Sequence, residues 1–184
     1  MTVARFFSQR LLRGVLRDQS GSAAVELALV AGTLASVMMN GIEISRWYFS
    51  QMELQNATQM AAQAVWKACD SPAKLPVTIN CSARTAAMNN ALQSTSLGTR
   101  VTLSSGYPTE AYYCVATSGG ALTNVGSVSN AKPVNCSPTG STSDTPGDYI
   151  VLRAQYTYSP IFYGITIGSL LPTEVTAQTM MRVR

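Results

Sequence analysis

The chain has 184 residues, enough for one modest domain plus an appendage, with 46% hydrophobic and only 12% charged residues. It contains no histidine, which removes the commonest general base, the usual zinc ligand and every histidine-dependent triad. Three of the four net positive charges come from residues 1–21, where Arg5, Arg10, Arg13 and Arg17 are offset only by Asp18, so the basic balance describes a leader and argues against a nucleic-acid surface.

After the leader, Glu26 is the sole charge between Asp18 and Glu43. The run "LALVAGTLASVMMNGI" (residues 27–42) with the preceding "SAAV" approaches the roughly 20 residues needed to cross a bilayer. Secretory h-regions span about 7–15 residues and end at a small-x-small site. This run is longer, lies behind a long basic leader and continues into a polar helix, which favours an uncleaved anchor over a cleaved signal. A buried helix of a soluble domain is the remaining alternative. Four arginines precede the run and only Arg46 follows closely, so the positive-inside bias keeps the N-terminus cytoplasmic. Trp47, Tyr48 and Phe49 stand where an aromatic belt would meet the outer interface.

Helical signals continue past the apolar run. Residues 43–68 lack Pro and Gly, and Trp47, Leu54, Ala61 and Val65 recur at helix-compatible spacing. One helix is therefore expected over residues 22–67, about 65–70 Å long at 1.5 Å per residue, with Pro72 and Pro76 as breakers after it. The expected division is a leader at 1–21, a transmembrane helix at 22–43, an extracytoplasmic extension at 44–68 and a head at 69–184.

A shorter helix is expected over residues 82–98, ending at Gly98. From Arg100 onward the pattern turns to strands, in "RVTLSS", "EAYYCVA" and "ALTNVGSV". Residues 129–148 read as a long loop by their Pro, Gly, Ser and Asn content. "DYIVLRAQYTY" then alternates, with Ile150, Leu152, Ala154, Tyr156 and Tyr158 on one face. "EVTAQTMMRVR" alternates likewise through Val175, Ala177, Thr179, Met181 and Val183. These two runs read as neighbouring antiparallel strands of a half-buried sheet. The fold class is α+β: a long N-terminal helix whose outer half packs on a small antiparallel sheet.

Cys69, Cys81, Cys114 and Cys136 form no CxxC pair, and an even count in polar surroundings suggests two disulfides in an oxidising compartment. Of three possible pairings, Cys69–Cys81 with Cys114–Cys136 is favoured because each closes a local loop; four unpaired thiols are the alternative. Asp144 and Asp148 raise the idea of a calcium site, though two carboxylates among serines are more often plain loop. Tyr112, Tyr113, Phe162 and Tyr163 are candidates for a binding face or for core packing. No nucleophile–base pair is evident, so the chain reads as a non-enzyme without metal or other cofactor.

Glu26 is costly in hydrocarbon and by default suggests function. It lies one turn inside the apolar segment, so headgroup-level placement or the positive helix N-terminus, worth about 0.3–1 kcal/mol, is the simplest account. "DQSGSAAVELALV" (residues 18–30) also resembles the processing region of type IV prepilins, most closely the TadE/TadF-like pseudopilins of tight-adherence (Flp-type) pili. The resemblance implies cleavage by a membrane-embedded prepilin peptidase between Gly21 and Ser22, which makes Glu26 the fifth mature residue. It implies further partners, the other pilins and pseudopilins and an inner-membrane assembly platform. It also implies a single-pass inner-membrane location with a periplasmic head, and incorporation into an extracellular pilus. The leader charges, Arg13 and Arg17 included, would hold the N-terminus in the cytoplasm until cleavage. "YTYSPIF" and the final strand resemble the closing strands of TadE-like proteins. Major Flp pilins are shorter and usually carry Tyr after the Glu, where this chain has Leu27, so the resemblance points to a minor pilin. A second reading is an unprocessed, membrane-anchored assembly or secretion factor.

Overall fold

A computed structural model of the chain describes residues 20–183; the leader arginines Arg13 and Arg17 lie outside the described residues. The first element, α1 (Ser20–Ala68), is a single helix of 49 residues. No proline interrupts it, and three glycines, at about 1 kcal/mol each relative to Ala, are too few to break it. It ends where the Lys74 ammonium takes the Ala68 carbonyl at 2.8 Å, a cation at the negative end of the helix dipole. The chain divides into two compact units: residues up to Ile44 together with Pro160–Ser169, and Ser45–Ser159 together with the residues from Leu170 onward.

In the larger unit, the outer half of α1 buries Leu54, Ala57, Thr58, Ala61, Ala62 and Val65. Their spacing of three and four residues defines one face, and the alanines let a sheet approach closely. That sheet is built on β4 (Gly147–Thr157), an eleven-residue strand. β5 (Glu174–Arg182) pairs antiparallel along one edge, Val175 opposite Tyr156. On the other edge β4 is shared: β2 (Thr109–Val115) pairs with its first half, and β1 (Val101–Leu103) with its second. β3 (Leu122–Ser127) extends the sheet from β2. The alternation of β4 is realised as burial: Ile150, Leu152, Ala154, Tyr156 and Tyr158 are all buried and share one core with the α1 face, Val77, Met88, Leu92 and Val175.

Two short helices cover the same core, α2 (Val77–Asn80) and α3 (Arg84–Leu92). α3 stops six residues short of Gly98, and just past its end Ser94 Oγ donates to the Ala91 carbonyl at 2.7 Å, satisfying one of the helix's terminal carbonyls. Of the three aromatics at residues 47–49, one is engaged by the fold, Trp47. It packs against the core and donates its indole N–H to the Pro172 carbonyl at 3.2 Å, while Tyr48 and Phe49 stay exposed.

In the smaller unit, α1 is exposed on all sides from Gly21 to Met38. The segment Pro160–Ser169 is fastened to the end of this apolar stretch. Glu43 Oε1 accepts the Ile161 N–H at 2.6 Å, and Asn40 Oδ1 accepts the Ile167 N–H at 2.8 Å. Gly168 is required for this approach, since a Cβ there would come within 2.7 Å of Glu43 Cγ.

Candidate functional site

Gly21, Ser22, Val25, Glu26 and Leu29 line one shallow concavity on α1, as their one- and four-residue spacing dictates for a single helix face. All five are exposed. Ser22 and Glu26 stand one turn apart, so a charge created at Ser22 would lie on the face that carries the carboxylate. A Cβ added to Gly21 meets nothing within 4 Å. Glycine in a helix costs up to about 1 kcal/mol relative to Ala, and no contact among the described residues requires it here. Gly21 and Ser22 are both helical, whereas the sequence places the start of the helix at Ser22.

The apolar stretch deals with its other polar groups internally. Thr33 Oγ1 donates back to the Leu29 carbonyl at 2.7 Å, and Asn40 Nδ2 to the Ser36 carbonyl at 2.7 Å. Glu43, by contrast, is fully buried and holds the backbone of Ile161. In the sequence Glu43 marks only the end of the apolar run. Its position there was a signal, but its partner is 118 residues away and no local pattern could name it.

The apolar window of α1 is long enough to cross a membrane, and none of it is buried inside the protein. A core helix of a soluble domain would be covered by its own fold, so this stretch has the character of a membrane anchor. Residues 21–63 match the family model described as TadE-like protein. This part of the chain is TadE-like. The match begins at Gly21 and takes in Ser22, Glu26, the apolar stretch and the first turns that pack on the sheet, so the similarity to TadE-like proteins is a property of this segment. No curated protein and no solved structure matches the chain.

Outside the TadE-like segment, two disulfides staple the larger unit. Cys69 is joined to Cys81 with Cα atoms 5.9 Å apart, and Cys114 to Cys136 at 5.7 Å. The residues considered for calcium do not converge: Asp144 accepts from Ser141 Oγ at 2.6 Å, while Asp148 is a buried residue of β4. No group of three or more metal-ligating side chains occurs among the described residues. Tyr112 and Tyr113 belong to β2, where Tyr112 is buried and Tyr113 meets Tyr149 edge-on. Phe162 and Tyr163 belong to the segment fastened to Asn40 and Glu43.

Asp148 instead joins Glu110, because the β2–β4 register sets Glu110 opposite Ile150 and Tyr112 opposite Asp148. The Glu110 carboxylate accepts the Val77 N–H at 2.8 Å, and the Thr78 N–H and hydroxyl both at 2.6 Å, fixing the start of α2. Burial pushes the Asp148 carboxyl from 3.8 to about 6, with the Glu110 charge and a shared hydrogen bond adding to the rise and Lys132 opposing it. The Tyr112 hydroxyl is raised as well, by burial and then by the charges of Asp148 and Glu110. This cluster is a structural hub of the sheet, and the sequence could not announce it because its members meet only through strand register.

Proposed function

We propose that the chain is a minor pilin of a tight-adherence pilus that primes or caps assembly, cut by a prepilin peptidase between Gly21 and Ser22. The observation that carries this reading is the coincidence of the TadE-like match, starting at Gly21, with an exposed apolar helix whose first face bears Ser22 and Glu26. Cleavage would release the arginine-bearing leader, remove its hold on the cytoplasmic face, and leave a new ammonium at Ser22. In a filament, that ammonium on one subunit pairs with Glu26 of its neighbour. An unpaired charge in low dielectric is strongly disfavoured, so the pair fixes axial register as each subunit leaves the bilayer. The role is structural, with the membrane, the peptidase, the other pilins and the inner-membrane platform as partners, and the disulfide-bearing part in the periplasm.

The test is the N-terminal mass of protein from cells with and without the prepilin peptidase. The expected result is a chain beginning at Ser22 only where the peptidase is present. A chain retaining its leader in both would overturn the minor-pilin reading and leave an unprocessed anchored assembly factor.

A further inference from the structure

Asn40 and Glu43 are polar residues one turn apart at the end of an apolar stretch, and both spend their side chains on the backbone of Pro160–Ser169. Within that segment four backbone N–H groups find acceptors inside the same unit. Ile161 donates to Glu43, Ile165 to the Phe162 carbonyl at 3.4 Å, Ile167 to Asn40, and Gly168 to Thr166 Oγ1 at 3.3 Å. The Thr166 hydroxyl in turn donates to the Phe162 carbonyl at 3.0 Å.

The side chains do the opposite. Tyr163 is 80% exposed, Ile165 76%, Ile161 57% and Ile167 40%. No charged residue occurs between Arg153 and Glu174. In water such an arrangement is unfavourable, because a cluster of large apolar side chains is displayed. At a membrane interface it is favourable, since the apolar side chains meet acyl chains while backbone groups not bonded within the protein meet water and headgroups. The segment is also one compact unit with the exposed apolar stretch of α1, and is fixed where that stretch ends.

We infer that Pro160–Ser169 is a membrane foot. It rests in the interfacial layer of the bilayer, with Ile161, Tyr163, Ile165 and Ile167 among the lipids around α1 where the helix leaves the hydrocarbon. The inference rests on the reading of α1 as a membrane-spanning helix. A segment of this length cannot cross the bilayer, and its isoleucines with a tyrosine suit the headgroup–acyl boundary. Asn40 and Glu43 are positioning residues: they tie the foot to the helix at a fixed depth.

The test uses the full chain with both disulfides formed, carrying Ile165→Cys or, separately, Tyr163→Cys as the free thiol. Each is labelled with a nitrobenzoxadiazole fluorophore and reconstituted in phosphatidylcholine vesicles containing nitroxide lipids. Met38→Cys, within the apolar stretch, and Val134→Cys, 89% exposed in the larger unit, are the reference positions. The expected result is blue-shifted emission at 163 and 165 and quenching several-fold stronger than at 134, strongest with nitroxide near the headgroup. If 163 and 165 behave like 134 while 38 is quenched, the foot is overturned and the spanning helix stands. If 38 is also unquenched, the spanning reading falls and the foot with it. Shielding at 163 and 165 that arises only when other pilus subunits are added would assign the face to a protein partner and overturn the lipid assignment.

Discussion

Asp148→Asn is expected to stabilise the protein at neutral pH and to flatten its pH dependence. The folded carboxyl is pushed up to about 6 from an ordinary 3.8, so the native state holds this proton more tightly than the unfolded chain does. Stability from this group is therefore greatest below pH 4 and declines as pH rises through about 6. The full rise is worth roughly 3 kcal/mol at about 1.4 kcal/mol per pH unit. By pH 5 about half of that cost has already been incurred, because the unfolded carboxyl is ionised while the folded one is still mostly neutral; about 1.3 kcal/mol remains between pH 5 and 8. Asn keeps the size of the side chain and offers Glu110 an N–H without a charge to bury. Urea unfolding of the full chain in detergent micelles, followed by the fluorescence of Trp47 and Trp66, measures the effect. The wild type should lose about 1–1.5 kcal/mol between pH 5 and 8, and Asp148→Asn should lose little of it. Equal slopes in the two proteins, or a variant less stable than wild type at pH 8, would refute the assignment of the cost to Asp148.

Glu26→Ala should leave processing at Gly21 largely intact and impair incorporation into filaments; peptidase cleavage by gel shift and pilus counts by electron microscopy check it, and normal pili would remove the register role. Reducing Cys114–Cys136, which closes a separation of 22 residues, should cost about 3 kcal/mol by loop entropy, read as a lower urea midpoint for Cys114→Ser/Cys136→Ser. Glu43→Ala should leave the Ile161 N–H without its carboxylate acceptor, a loss of roughly 1–3 kcal/mol. Hydrogen exchange should then quicken in Pro160–Ser169 while the amides of β4 keep their protection.

Several elements were legible because their cause is local. The apolar run, the helix continuing through Val65 and the alternation of Ile150, Leu152, Ala154 and Tyr156 are each written in neighbouring residues, and each appears where the pattern put it. The α3 boundary differs from the one Gly98 suggests: the helix ends at Leu92, ahead of a Ser/Thr-rich stretch whose residues favour turns over helix. The extent of the stripe was also underestimated, since Ala57 and Ala62 contribute closeness of approach and not hydrophobic bulk.

What the sequence determined by itself is the order of the chain: a basic leader, an apolar run marked by Gly21, Ser22 and Glu26, and an α+β region whose cysteines stand in local pairs. Periodicity and charge spacing carry that information because a helix or strand repeats every few residues. Only the tertiary structure decided that Asp148 meets Glu110, that Glu43 and Asn40 capture Ile161 and Ile167, and that an uncharged segment from late in the chain is fastened to the apolar helix. Those pairings depend on strand register and on where a distant backbone runs, and a single buried carboxylate looks the same in sequence whichever partner it will find.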